Sequence, residues 1–112
     1  MAATPTFYIK QNDTRPLLEV NLRDDRDRPV NITGATVVFS MRNVSDNSVK
    51  IDAASATVTS STGGRVRYTF TATNTNTAGN FDAEFQVTFL DGTIETFPND
   101  GYIKVIITDD VG

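Results

Sequence analysis

From Phe81 to Phe89 every second residue is apolar (Phe81, Ala83, Phe85, Val87, Phe89), and the residues between, Asp82, Glu84, Gln86 and Thr88, are polar. A period of two places successive side chains on opposite faces of a strand, so this run predicts a long central strand with one face against a second sheet. The same alternation recurs in Leu18, Val20 and Leu22, in Val37, Phe39 and Met41, and in Val66, Tyr68 and Phe70. Weaker strands are predicted around Thr6 to Lys10, Ser48 to Asp52, Ala56 to Ser60, Thr93 to Phe97 and Tyr102 to Thr108. Turn chemistry separates nearly all of them. Asp27-Arg28-Pro29, Asn31-Ile32-Thr33-Gly34, Thr62-Gly63-Gly64, Ala78-Gly79-Asn80 and Pro98-Asn99-Asp100-Gly101 supply the fixed or positive φ that reversals need. Asp91-Gly92 between two strand-like runs predicts a type I′ hairpin. Short strands at this spacing predict an all-β fold, an immunoglobulin-like antiparallel β-sandwich of about eight short strands.

No segment carries a helical period, an internal repeat or a domain boundary, so residues 1–112 read as one sandwich domain. Met1 reads as the natural start. The abrupt acidic finish at Asp109-Asp110-Val111-Gly112 is compatible with one end of a longer polypeptide. The opening Met1-Ala2-Ala3-Thr4-Pro5-Thr6 has neither a basic residue nor an apolar core, which argues against a secretory signal, and no apolar run reaches the ~20 residues of a membrane-spanning helix. The expected place of synthesis is the cytoplasm.

The chain contains no cysteine and no histidine. That removes disulfides, thiolate ligands, cysteine nucleophiles and the commonest general base near neutral pH. A net charge of -4 repels phosphate backbones and argues against a nucleic-acid partner. Asp24-Asp25-Arg26-Asp27 lacks the ligand spacing of a calcium loop, and the neighbouring arginines make it a solvated charged turn. Asp82 and Glu84 fall on the wet face of their strand, not in the apolar setting a glycosidase acid requires. Gly63-Gly64 has no following Lys-Ser/Thr and reads as a hairpin turn rather than a phosphate loop. The composition therefore points away from an enzyme, with no cofactor, metal, membrane or small-molecule substrate expected.

Several segments, in consistent order along nearly the whole chain, resemble the N-terminal immunoglobulin-like domain of the bacteriophage baseplate upper protein family. They are Ile9-Lys10-Gln11-Asn12-Asp13-Thr14 with Pro16-Leu17-Leu18, then Arg28-Pro29-Val30-Asn31-Ile32-Thr33-Gly34-Ala35-Thr36-Val37, then Gly64-Arg65-Val66-Arg67-Tyr68. Ala78-Gly79-Asn80-Phe81-Asp82-Ala83-Glu84-Phe85 and the closing Thr96-Phe97-Pro98-Asn99-Asp100-Gly101-Tyr102 complete the set. Asn12 and Arg28 stand where family members commonly have glycine. The resemblance implies a non-enzymatic virion structural protein, a baseplate, tail or fibre attachment domain acting by protein-protein assembly with other virion proteins and as a homo-oligomer. A capsid decoration protein is the alternative within that class. A carbohydrate- or host-surface-binding module is the alternative outside it, with Tyr8 and Tyr102 as its stacking platforms.

Candidate partner-interface residues are Tyr8, Lys10, Val38, Arg65, Arg67, Tyr102 and Ile106. Tyr8, Val38 and Ile106 put apolar area on faces that the alternation leaves wet. Thr6 to Lys10 and Gly101 to Thr108 are expected edge strands, open to sheet extension. Arg65 and Arg67 share an outer face, where the sequence favours cross-strand pairing with acids such as Asp82 or Glu84 over a grip on a partner's carboxylates or phosphate.

Overall fold

The computed structural model describes residues 6–111; the reading of Met1 to Pro5 lies outside them. Nine strands follow one another without a helix among the described residues: β1 Thr6–Lys10, β2 Leu18–Asn21, β3 Thr36–Asn43, β4 Val49–Ser55, β5 Thr57–Ser60, β6 Arg65–Tyr68, β7 Gly79–Thr88, β8 Ile94–Phe97 and β9 Ile103–Thr108. They form two sheets, β1-β9-β7-β3-β4 with β8 also on β7, and β2-β6-β5. The protein is an all-β, immunoglobulin-like sandwich. Each strand begins and ends close to where alternation and turn residues put it.

The core lies where the period-two pattern aims it. Phe39, Phe85, Val87, Val66 and Val105 are fully covered, and Phe81, Ala83, Phe70, Met41 and Ile32 are nearly so. Phe39 from the larger sheet stacks on Tyr68 at 4.4 Å and meets Phe70 edge-on at 5.9 Å, tying the two layers together. Phe85 completes this cluster at 4.9 Å from Phe39. Ile32 closes one end of the core, and Gly34, at φ 76°, lets the chain turn sharply into β3. Pro98 follows β8 directly, where its missing donor ends the ladder.

Four features depart from the expectation, each through a long-range pairing or a local side-chain bond. β1 runs parallel to β9, Tyr8 beside Ile106, within an otherwise antiparallel sandwich. β9 is therefore paired on both sides, with β1 and β7, and Gly101 to Thr108 is no edge. The β7–β8 turn is not type I′, because of Asp91 and Gly92 only Gly92 has positive φ, 89°. Instead Gly92 N–H donates to Phe89 C=O at 2.9 Å while the Asp91 carboxylate accepts from Thr93 N–H and Oγ1, a longer loop fixed by an aspartate. Arg65 and Arg67 lie on β6 of the smaller sheet, a different layer from Asp82 and Glu84 on β7, so no cross-strand pairing between them exists. Arg67 faces Glu19 in the register, and Arg65 Nε donates to Asn21 Oδ1 at 3.0 Å.

Candidate assembly interface

The larger sheet presents its outer face as successive rows of side chains. Register places Tyr8 beside Ile106 and Ile106 beside Asn80, and Val44 N–H bonds to Asn80 C=O, so Tyr8, Ile106, Asn80 and Val44 cross the sheet in line. Tyr8 is 59% exposed and Val44 45%, and with Ile106 they border a shallow groove of about 320 Å³. The next row is Thr6, Lys104, Asp82, Arg42 and Val49, the last 64% exposed. This face is wet by position in the fold and yet partly apolar by composition.

Its ionic centre is held by geometry rather than free in solvent. The Asp82 side chain is only 11% exposed and faces two cations, Lys104 Nζ at 3.0 Å and Arg42 Nη2 at 3.9 Å. Arg42 also donates from Nη2 to the Tyr102 hydroxyl at 3.1 Å, with its guanidinium carbon 4.9 Å from the Tyr102 ring centre. The aromatic face, the hydroxyl it donates to and the neighbouring carboxylate restrict the long arginine chain, so less entropy remains to be lost when a partner covers it. A second, smaller hollow of about 180 Å³ is open, with Met41 and Val49 in its lining beside Arg42, Asp52, Asp82, Glu84 and Tyr102. Its carboxylates stand among cations and solvent, an arrangement suited to ionic recognition.

Of the candidates read from the sequence, the fold brings Tyr8, Lys10 and Ile106 to one end of this face, with Tyr102 near its middle beside Arg42 and Val38 farther along between Ser55 and Gln86. Arg65 and Arg67 are on the opposite side of the molecule. Sequence reasoning missed Arg42, Val44 and Val49. Arg42 is polar on a strand's wet face and gave no signal, because its significance arises from Tyr102, 60 residues away along the chain. The Asp24 turn is built by its own backbone: Asp24 accepts from Arg26 N–H, Arg28 N–H and Arg28 Nε, and the bond from Arg28 N–H leads in holding its carboxyl below the usual 3.8.

Rows of alternating residues, the Ile32–Gly34 corner and the Pro98 stop occur here in the order the resemblance requires, and the family model described as the BppU N-terminal domain matches residues 4–97. The chain belongs to this family. As a BppU N-terminal domain it is a member of a family of phage baseplate structural proteins, which work alongside other proteins of the virion. Asn12 has a φ of 69°, and asparagine is among the residues that tolerate this region. At Arg28 the positive φ, 61°, falls on the preceding Asp27. No curated protein matches the chain. Among solved structures, the crystal structure of CopC from Methylosinus trichosporium OB3b is similar, with a TM-score of 0.55 and 10% identity over 97% of this chain and 89% of that one. That likeness is one of fold.

Proposed function

We propose that this BppU N-terminal domain is a non-enzymatic attachment unit of a phage baseplate or tail, docking another virion protein on the outer face of its larger sheet. The observation that carries this reading is the row of Tyr8, Ile106 and Val44 beside the Arg42–Tyr102–Asp82–Lys104 network. Protein interfaces concentrate energy in Tyr and Arg anchors surrounded by apolar contacts, and this face offers both on a rigid sheet. Lys10 and Val38 lie on its margins. Arg65 and Arg67 belong to a separate surface and are assigned no part in the docking. The unit comprises residues 1–112 as one sandwich, made in the host cytoplasm and used in the particle.

A glycan module would use Tyr8 and Tyr102 as platforms, but one face of the Tyr102 ring is already taken by Arg42. Capsid decoration would use the same patch against a different partner. Both are decided by binding of the purified chain to isolated baseplate, tail and head components, with wild type compared to Tyr8→Asp/Ile106→Asp. We expect the variant to lose at least tenfold in affinity for a baseplate or tail component, about the effect of two central contacts. Undiminished binding by the variant overturns the docking face. Binding to head shells alone overturns the baseplate reading in favour of decoration.

A further inference from the structure

Glycine follows aspartate at two places in the chain, Asp91-Gly92 and Asp100-Gly101, and follows asparagine at none. In this dipeptide the glycine nitrogen can attack the aspartate side-chain carbon, because glycine has no Cβ to obstruct the approach. The fold treats the two places in opposite ways. At Asp91 both reactants are engaged: Gly92 N–H donates to Phe89 C=O at 2.9 Å, and the carboxylate accepts from Thr93 N–H at 2.9 Å and Thr93 Oγ1 at 2.6 Å. The same two donors, the hydroxyl first, hold this carboxyl below 3.8 and so thin out the protonated form that can lose its hydroxyl as water.

At Asp100 neither reactant is engaged. Asp100 and Gly101 are both exposed, and among the described residues no hydrogen bond or ion pair holds the Asp100 carboxylate or Gly101 N–H. The residues on either side are fastened. Asn99 Nδ2 donates to Glu95 Oε2 and to Thr96 C=O, both at 3.0 Å, and the Tyr102 hydroxyl accepts from Arg42 Nη2 at 3.1 Å. Asp100-Gly101 is therefore a loose link between two anchored residues, free to reach the geometry of ring closure.

We propose that Asp100 is a site of spontaneous isoaspartate formation, and that the linkage so formed parts Tyr102 from Arg42. The Gly101 nitrogen bonds to Asp100 Cγ, and its proton leaves with the carboxyl hydroxyl as water, closing a five-membered succinimide. Water then adds to one of the two ring carbonyls. Opening at the new bond restores aspartate, and opening at the original peptide bond leaves the chain running through Cβ with a free α-carboxylate. Nothing is oxidised or reduced, and water is the one co-reactant. The product has an extra backbone carbon two residues before Tyr102, whose ring centre lies 4.9 Å from the Arg42 guanidinium carbon. The chemistry proceeds whether or not that face docks a partner.

Digestion of aged protein with an endoproteinase that cuts before aspartate, and not before isoaspartate, tests it. Isoaspartate at 100 leaves residues 91–108 as one fragment, and isoaspartate at 91 leaves residues 82–99 as one. After weeks of incubation of the folded chain we expect 91–108 to accumulate about tenfold faster than 82–99, the effect of the hydrogen bonds that hold Asp91 and Gly92. In urea the two fragments should form at similar rates. In the isomerised fraction, the Tyr102 ring resonances, assigned with Tyr102→Phe, should move toward those of a solvated tyrosine while those of Tyr68 stay in place. Absence of 91–108 overturns the proposal, as does a folded-state ratio of the two fragments equal to that in urea. Unmoved Tyr102 resonances in the isomerised fraction overturn its second part.

Discussion

Gly64 stands where a side chain has no room. A Cβ there would lie 2.6 Å from Val30 C=O and 2.8 Å from Leu22 C=O, and φ is already 66°. Both obstacles are backbone atoms, which cannot swing aside, so Gly64→Ala should lose about 2 to 4 kcal/mol in urea unfolding, combining left-handed strain with a forced shift of two backbone segments. Thr75 is the complementary case, a polar side chain with no exposure in the threonine- and asparagine-rich connection between β6 and β7. Its hydroxyl donates to Asp13 C=O at 2.8 Å and so ties the β6–β7 connection to the loop after β1. The sequence marks Gly64 through its neighbours, but nothing local separates Thr75 from Thr71, Thr73 or Thr77. Burial of one among four similar threonines is decided by a partner 62 residues distant.

The strands were legible because alternation is a local property, and the turns were legible as positions but not as types. Asp91-Gly92 illustrates the difference. The dipeptide fits a two-residue turn, yet Thr93 offers the Asp91 carboxylate two donors and draws the loop into another form. Thr93 Oγ1 is the leading cause that lowers the Asp91 carboxyl below 3.8, followed by Thr93 N–H. The Asp46 turn repeats the motif, with the Ser48 hydroxyl first and Ser48 N–H second. With Asp24 these groups bind protons less readily folded than unfolded, so their contribution is present above about pH 4 and is lost as the pH falls through the lowered values. The urea midpoint should therefore drop on acidification from about pH 5 to pH 2, and Asp24→Asn/Asp46→Asn/Asp91→Asn should flatten the slope. Tyr68 works in the other direction: burial raises its hydroxyl above 10.0, so stability declines as the pH rises beyond about 10 and the unfolded chain ionises first.

At the scale of the whole molecule, stability rests on the aromatic cluster between the layers. Phe39→Ala would empty a fully covered site in contact with Tyr68, Phe70 and Phe85, and should remove about 3 to 5 kcal/mol, a large part of the 5 to 15 kcal/mol typical of a domain. A fall in the melting midpoint of more than about 10 °C is the expected readout. Which residues enter this core was evident from their period. Which strands neighbour one another was not: alternation assigns a face to Arg65 but no layer, and it cannot show that β1 joins β9 in parallel. For the same reason the candidate face was only half visible, as Tyr8 and Ile106 without Arg42.

The passage of the chain from β4 of the larger sheet into β5 of the smaller has an effect at that flank, where register shifts interrupt β3–β4 and β5–β6. A sandwich with two regular flanks could add neighbour upon neighbour without limit, growing into a ribbon at the concentrations reached while particles are being built. With one flank given over to the crossing and its bulges, that edge offers no regular ladder to extend, and endless flank-to-flank growth is blocked.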